Sequence, residues 1–365
     1  LDFAATTVGG NLAATATTGN LTDSAGVTVA GTTALTTTAA DADIDLGSLT
    51  ATGSVSLNTN GTAGDATIVN ATALSFDTST VNGSLTATAT GDITDVQAAD
   101  IAVTSDASFT SQGGNIVLGD SAGNLTNFGT LNVSGATVQI SEDSATNLTG
   151  VSATTLTLTS SGNIADNDGT TISVTGLATL DAATNDIVLG DAEADQTNFG
   201  SLNLNASNVT ITEDSDTELA GVTVPNSFTL NSAGGVTDTA TNTVGTLNLV
   251  AGGPVVLDDA GNDFGNNTVN FSVTNGGLTL QDSNDLSVQG SATGNVVINA
   301  AGTITVVSNE NDIGATGGLT SSDQLASITL DSAETVLNGD LKTSDGNVTV
   351  VGDLTLIGDR TIDTS

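Results

Sequence analysis

The sequence predicts an all-β fold, a parallel β-helix or β-solenoid, and two observations lead to this prediction. A five-residue phrase recurs along the whole chain, and short apolar alternations are separated by Gly, Asn and Asp. The phrase reads Gly-Asp-Ile-Thr-Asp at 91–95, and its copies lie at 19–23, 162–166, 234–238 and, in degraded form, 302–306. Their first residues are 72, 71, 72 and 68 positions apart. Self-similarity at such a period is the signature of a repeat architecture.

The repeat extends beyond the phrase. Residues 115–120 (Asn-Ile-Val-Leu-Gly-Asp) return at 186–191 and more loosely at 254–259. A shared Asn/Asp-Phe-Gly run contains the equivalent phenylalanines Phe128, Phe199 and Phe264. The chain is therefore a little over five passes through one pattern. The glycine that opens each phrase is expected to hold a tight corner with positive φ.

Within the repeat, strands of four to six residues alternate with turns. Leu131 and Val133 precede a Ser-Gly turn, and Val138 and Ile140 follow it. Apolar residues at i and i+2 place one face inward and the Thr, Asn and Ser residues outward. A sandwich or barrel shares this local pattern, but neither requires a period of this length.

A β-solenoid explains both observations, because each repeat adds complete coils to a stack. We expect one continuous solenoid domain over residues 1–365. Three coils of roughly 24 residues would make one repeat, which gives about 15 coils in all. The three equivalent phenylalanines would then lie in one interior column.

Two runs resemble a known family: Ser-Leu-Thr-Ala-Thr-Ala-Thr-Gly-Asp-Ile-Thr at 84–94 and Leu-Thr-Leu-Thr-Ser-Ser-Gly at 156–162. They look like the repeats of filamentous-haemagglutinin-type exoproteins and the β-strand repeats of very large bacterial surface adhesins. The resemblance implies a right-handed parallel β-helix, export to the cell surface or medium, and an adhesive or structural role. It carries over no functional residue.

Charge limits the possible partners. The chain has 41 acidic residues and two basic ones, Lys342 and Arg360, for a net charge of −39. Such a chain repels phosphate backbones, so no nucleic-acid partner is expected. The sequence contains no apolar run of membrane-spanning length, so no membrane insertion is expected. High charge keeps a protein soluble and attracts cations.

The residue inventory argues against an enzyme. The chain has no His, Cys, Tyr, Trp or Met. Serine–histidine and cysteine–histidine catalysis are therefore excluded, as are histidine and thiolate metal sites. Paired carboxylates alone can hydrolyse a glycoside, but a chain this acidic contains such pairs by chance. No catalytic, cofactor-binding or metal-binding residue is predicted.

Calcium is the one cofactor that the composition leaves open, because it prefers oxygen ligands. Residues 41–47 (Asp-Ala-Asp-Ile-Asp-Leu-Gly) superficially resemble a calcium loop. In an EF-hand the sixth position is Gly and the twelfth is acidic, whereas Leu46 and Thr52 stand there. Ala42, Ile44 and Leu46 alternate with the acids, which indicates a strand with its carboxylates facing water.

The predicted function is structural and adhesive: a shaft or fibre segment of a bacterial surface adhesin, located outside the cell. One alternative is a subunit that assembles into an extracellular filament or surface layer. Another is an ice-binding solenoid, suggested by threonine rows at 15 and 17, at 86, 88 and 90, and at 155, 157 and 159. Expected partners are flanking repeats or like subunits packed end to end, and cell-surface or matrix components. Both ends of the sequence enter the pattern mid-repeat, which supports such neighbours.

Overall fold

The chain folds into parallel strand ladders, as the computed structural model shows for residues 1–265, 267–308 and 318–365. It divides into two compact units: unit 1 is residues 1–182 and 192–195, and unit 2 is residues 183–191 and 196–365. The described residues form strands and turns without any helix. The predicted all-β parallel solenoid is therefore confirmed. No helix in the described ranges has the length and apolarity that a membrane crossing needs.

Unit 1 is built from strands that are mostly three to five residues long. Longer strands occur where the chain continues from one face of a turn to the next without a break in the strand. Their bounds are β1 (Asp2–Phe3), β2 (Thr6–Val8), β3 (Leu12–Ala16), β4 (Leu21–Asp23), β5 (Val27–Val29), β6 (Thr33–Thr37), β7 (Ile44–Ala51), β8 (Val55–Asn58), β9 (Ala66–Asn70), β10 (Leu74–Phe76), β11 (Ser79–Val81), β12 (Leu85–Ala89), β13 (Ile93–Asp95), β14 (Asp100–Ser111), β15 (Ile116–Leu118), β16 (Leu125–Glu142), β17 (Thr146–Ser160), β18 (Ile164–Asp166) and β19 (Thr171–Asp181).

Unit 2 repeats the same construction. Its strands are β20 (Asp186–Leu189), β21 (Gln196–Asn205), β22 (Asn208–Glu213), β23 (Thr217–Ser232), β24 (Val236–Asp238), β25 (Asn242–Ala251), β26 (Val255–Leu257), β27 (Thr268–Val273), β28 (Leu278–Asp282), β29 (Leu286–Ala292), β30 (Val296–Ala300), β31 (Thr303–Val306), β32 (Gly318–Gln324), β33 (Ile328–Leu337), β34 (Asp340–Ser344), β35 (Val348–Leu356) and β36 (Ile362–Asp363).

The turns are shorter than the sequence suggested. In unit 1, Ile93 pairs with Ile116, which pairs with Val138, which pairs with Leu156. These steps advance the chain by 23, 22 and 18 positions, so the three turns average 21 positions rather than the expected 24. The part of the chain that the structure describes accordingly makes about 17 turns instead of the expected 15. Hydrophobic alternation fixes which residues point inward, but it does not fix how many residues a corner takes.

One repeat is therefore not a whole number of turns, and that expectation is wrong. Ile164 is the repeat equivalent of Ile93, yet it lies eight residues beyond Leu156, on the next face of unit 1. Three turns plus one further strand and corner make up the repeat, which is about three and a third turns. The same eight-residue advance separates Leu85 from Ile93 in unit 1 and Val296 from Ile304 in unit 2.

The phenylalanines are interior but do not share a column. Phe128, Phe199 and Phe264 are each at most 4% exposed. In unit 2, the position of Phe199, followed from turn to turn through the paired strands, arrives close to Pro254 after about three turns. Phe264 lies ten residues further along and stacks beside Val244 instead. The third of a turn added by each repeat moves equivalent residues onto different faces.

Short acidic side chains hold the corners together. At a corner the backbone leaves the ladder and its N–H groups need another acceptor. The Ser84 N–H donates to Asp65 Oδ1 in the preceding turn at 2.7 Å. Each such bond contributes about 1 kcal/mol. The same contact joins Asp41 to Thr62, Asp92 to Asn115, Asp216 to Gly235, Asp285 to Thr303 and Asp340 to Thr361.

Close approach between turns, more than positive φ, explains the glycines that open the phrase. Among them, Gly19 has a positive φ of 85°. At Gly234 and Gly302 a Cβ would lie 2.1 Å and 2.2 Å from the carboxylate oxygens of Asp216 and Asp285. Glycine is needed there because the corner carboxylate of the preceding turn occupies the space of a side chain.

The register predicts which engineered cysteines form a disulfide. Gln139 and Thr157 are exposed and paired on adjacent turns. Parallel neighbours lie about 4.8 Å apart, within the Cα range that a disulfide spans. We expect Q139C/T157C to cross-link on oxidation, as measured by mass spectrometry of the digested chain. Q139C/N163C, which a uniform coil of about 24 residues would pair, should stay reduced; the opposite result would refute the register.

Candidate functional site

The calcium-loop candidate at 41–47 is a strand and a corner. Ala42, Ile44 and Leu46 are buried, as the alternation predicted. Asp41 Oδ1 accepts the Thr62 and Ala63 N–H groups, so its carboxylate caps the next corner. Asp43 likewise accepts the Asp65 N–H at 3.1 Å. These carboxylates bind backbone of the neighbouring turn and do not converge on one point.

The threonine rows extend to a threonine on one adjacent turn but not to threonines on both sides. Thr88 pairs with Val69 on one side and Thr110 on the other. Thr157 pairs with Gln139 and Thr179. Each row is therefore interrupted by a residue that is not threonine. Because each repeat adds about a third of a turn beyond three, equivalent threonine rows lie on different faces and do not form one flat array.

A ladder of hydroxyl groups runs across five strands of unit 1. Strands β12, β14, β16, β17 and β19 each place one hydroxyl at the same outward position. The strand alternation produces it, because the residues on either side of each member point inward. The members, which we call the hydroxyl ladder, are Thr88, Thr110, Ser134, Ser152 and Ser173.

Ser134, Ser152 and Ser173 of the hydroxyl ladder line one shallow groove, Thr88 lines a second, and Gln112 lines both. Their volumes are about 370 Å³ and about 460 Å³. Every residue lining them is uncharged, although the chain carries 41 acids. Small residues such as Ala71, Gly135 and Ala136 form part of the wall, so the surface is recessed there. The arrangement offers closely spaced hydrogen-bond donors and acceptors to an uncharged polar ligand.

Buried carboxylates form a second feature, which sequence reasoning missed. The repeated Glu-Asp pair at 142–143 clamps the corner that precedes it. Phe128 N–H donates to Glu142 Oε1 at 2.9 Å, and Thr126 N–H donates to Asp143 Oδ2 at 2.9 Å. The hydroxyl of Thr146 donates to Glu142 Oε2 at 2.7 Å. The recurrence of Ile-Ser/Thr-Glu-Asp at 140–143 and 211–214 was the available signal.

Unit 2 repeats this clamp. Phe199 N–H donates to Glu213 Oε1 at 2.9 Å, and Phe264 N–H donates to Asp282 Oδ2 at 2.9 Å. Burial raises the pKa of Glu142, Glu213 and Asp282, and the hydrogen bonds that they accept only partly oppose this. Their carboxylates are directed at the chain's own backbone, which suits a structural role.

A pair of aspartates also comes together in unit 1. Carboxylate oxygens of Asp166 and Asp195 lie within 4.8 Å of each other. Asp195 Oδ1 accepts the Gly169 and Thr170 N–H groups, and its Oδ2 accepts the Ala192 N–H. This carboxylate therefore organises two loops, and sequence spacing alone did not reveal the pairing.

The raised pKa values predict a chain that loses stability as the pH rises. A carboxyl whose pKa is higher in the folded chain binds more protons folded than unfolded. The free energy of unfolding should then fall as the pH rises above the ordinary values of 3.8 and 4.5. We expect E142Q/E213Q/D282N, which keeps oxygen acceptors for the three phenylalanine N–H groups, to reduce the fall between about pH 4.5 and pH 7, as measured by denaturant unfolding.

The control removes the same three charges from exposed positions: D45N/D100N/E193Q. It lessens general charge repulsion without touching a buried carboxyl. If the control flattened the pH profile as much as the buried variant does, the buried carboxyls would not be the cause.

Comparison with known proteins agrees with the repeat seen in the structure. No curated protein and no solved structure matches the chain. A family model described as repeats of unknown function (DUF5649) matches residues 1–47, 63–132, 135–203 and 206–274. These four segments cover more than half of the chain and follow its repeat of roughly 68–71 residues. The chain therefore belongs to the family of repeats of unknown function, DUF5649.

Proposed function

We propose that the chain is a structural segment of an extracellular shaft or fibre, presented at a bacterial cell surface. The observation that carries this proposal is the continuity of bonding from turn to turn in each unit. Parallel ladders join successive strands, and corner carboxylates such as Asp65 and Asp285 join the turns between them. Such bonding resists both stretching and proteolysis, because few backbone groups are left for a protease to engage.

The buried acids support a structural role over an enzymatic one. Glu142 and Glu213 are the carboxyls that an enzyme would use if burial alone marked catalysis. Both are at most 3% exposed and accept backbone and hydroxyl hydrogen bonds from their own corner. A substrate would have to displace these bonds, so we propose that the chain is not an enzyme and needs no cofactor for its structural role.

The proposed partners follow from surface chemistry. Flanking repeats or like subunits would stack on the same ladders that join the turns. The uncharged grooves of unit 1 suit a neutral, hydroxyl-rich polymer of the cell surface or matrix, because the hydroxyl ladder provides hydrogen bonds without charge. Nucleic acid is disfavoured as a partner by the net charge of −39.

The location can be tested on the producing cell. We expect antibodies raised against the chain to label intact cells or fibres extending from them, as seen by immunogold electron microscopy. A cytoplasmic protein on the same grid serves as the control for cell integrity. Labelling that appears only after the cells are permeabilised would refute the extracellular proposal.

The proposed binding of a neutral polymer in the groove can be tested by introducing negative charges there. We expect the chain to bind dextran, a neutral glucan, and S134D/S152D to weaken that binding by at least about tenfold, because a carboxylate is costly to desolvate. The matched control is Q139D/T157D, which adds the same charges to an exposed in-register pair on the same two strands. Equal weakening in both variants, or stronger binding to an anionic polyuronate, would remove the groove from the proposal.

A further inference from the structure

Asn124 in unit 1 is a buried side chain with unmet hydrogen-bonding capacity. It is 7% exposed, and neither its Oδ1 nor its Nδ2 has a hydrogen-bond partner. An unpartnered buried amide is costly, so native structures normally supply a partner. Burial raises the pKa of Asp95, and the Asn124 amide N–H group, which faces the Asp95 carboxylate, opposes this rise only in part and completes no hydrogen bond with it.

Two carboxylates accompany this amide. Asp95 Oδ2 accepts the Gly119 N–H at 2.8 Å, which brings the following residue, Asp120, beside it. Asp95 Oδ1 is buried and has no partner. Burial raises the pKa of Asp95, and the charge of Asp120 adds to this effect. Asp120 is exposed, so the group formed by these three side chains is open to solvent on one side.

The equivalent group in unit 2 pairs its aspartate and asparagine internally, although Asn242 Oδ1 is itself buried without a partner. Asn262 Nδ2 donates to Asp238 Oδ2 at 2.6 Å, and Asn262 Oδ1 accepts the Asn242 N–H at 2.8 Å. The Asn242 side chain donates to both Asp238 and Asn262. The position of Asn242 is taken in unit 1 by Ala99, whose side chain can donate nothing. The missing amide leaves the Asn124 side chain and Asp95 Oδ1 without internal partners.

We propose that Asp95, Asp120 and Asn124 bind a calcium ion. Calcium takes carboxylate and amide oxygens and accepts water or backbone carbonyls for its remaining ligands. Unit 1 contains no Lys or Arg, so no basic side chain within it can neutralise this pair of carboxylates. With the Asn124 amide turned so that Oδ1 faces Asp95, a bound divalent cation would satisfy both orphan oxygens, Asp95 Oδ1 and Asn124 Oδ1, and offset the repulsion between the acids.

The repeat supplies the matched control. Asp259 in unit 2 is the sequence equivalent of Asp120, since both follow a Val-Leu pair and one further residue. In its group, Asn242 and Asn262 already donate hydrogen bonds to Asp238. D120N and D259N therefore remove the same charge from equivalent positions, one in the proposed site and one outside it.

The experiment measures calcium bound per chain by equilibrium dialysis on the full chain. The buffer contains about 0.15 M KCl, which screens diffuse binding to the acidic surface over about 8 Å. We expect D120N and N124A to lose one bound calcium per chain relative to the unaltered protein, while D259N loses none. Far-UV circular dichroism of each variant verifies that the strands are intact.

A gain-of-function variant keeps the proposal testable if N124A fails to fold. N124D adds a third carboxylate and should bind calcium about tenfold more tightly, because ligand charge sets the affinity of such sites. It should also show a larger calcium-dependent rise in Tm than the unaltered chain. Equal calcium binding by D120N, D259N and the unaltered chain, or no tightening in N124D, would overturn the proposal.

Discussion

Backbone hydrogen bonding between successive turns is the constraint on which the rest of each unit depends. Parallel pairing requires that an inward residue of one turn meets an inward residue of the next, since a slip of one position would turn a whole strand inside out. Paired runs therefore keep their register, and variation in turn length falls on the corners and on bulges such as the one between Leu131 and Asn132. The step from Val138 to its partner Leu156 is 18 positions, whereas the step from Val103 to its partner Phe128 is 25.

Corners of unequal length create the need that the acidic residues meet. Each extra residue takes a backbone N–H out of the ladder, and a short Asp or Asn of the neighbouring turn can reach it. Where the corner folds inward, as at Phe128, a longer Glu142 reaches it from within the core. The strongly acidic composition is thus partly a structural feature of the corners and not only an aid to solubility. It also explains the choice of Asp over Glu at the surface, because the shorter side chain loses less conformational entropy on bonding.

The sequence was sufficient for the fold class and the inward residues, because strand alternation is a local property. Ile44 and Leu46 are buried as the pattern required. The length of a turn could not be predicted, because a repeat of 71 residues fits three turns of 24 residues as well as three and a third turns of 21 residues. The group formed by Asp95 and Asn124 could not be predicted from the sequence either. Its members are 29 positions apart, and the decisive feature is an alanine, Ala99, where another repeat has an asparagine.

The fractional repeat has a consequence for how this chain can acquire function. Because Ile93 and Ile164 lie on adjacent faces of unit 1, the faces must accept nearly the same sequence. That requirement favours small, interchangeable residues and explains why the composition is so rich in Ala, Thr, Val and Leu. A site created within one repeat is then copied onto every face, but its neighbours in the turns above and below differ. Ala99 and Asn242 are such neighbours, and only Asn242 can donate a side-chain hydrogen bond to the adjacent aspartate and asparagine. Functional differences between copies therefore arise from contacts between stacked turns more than from changes in the repeated phrase itself.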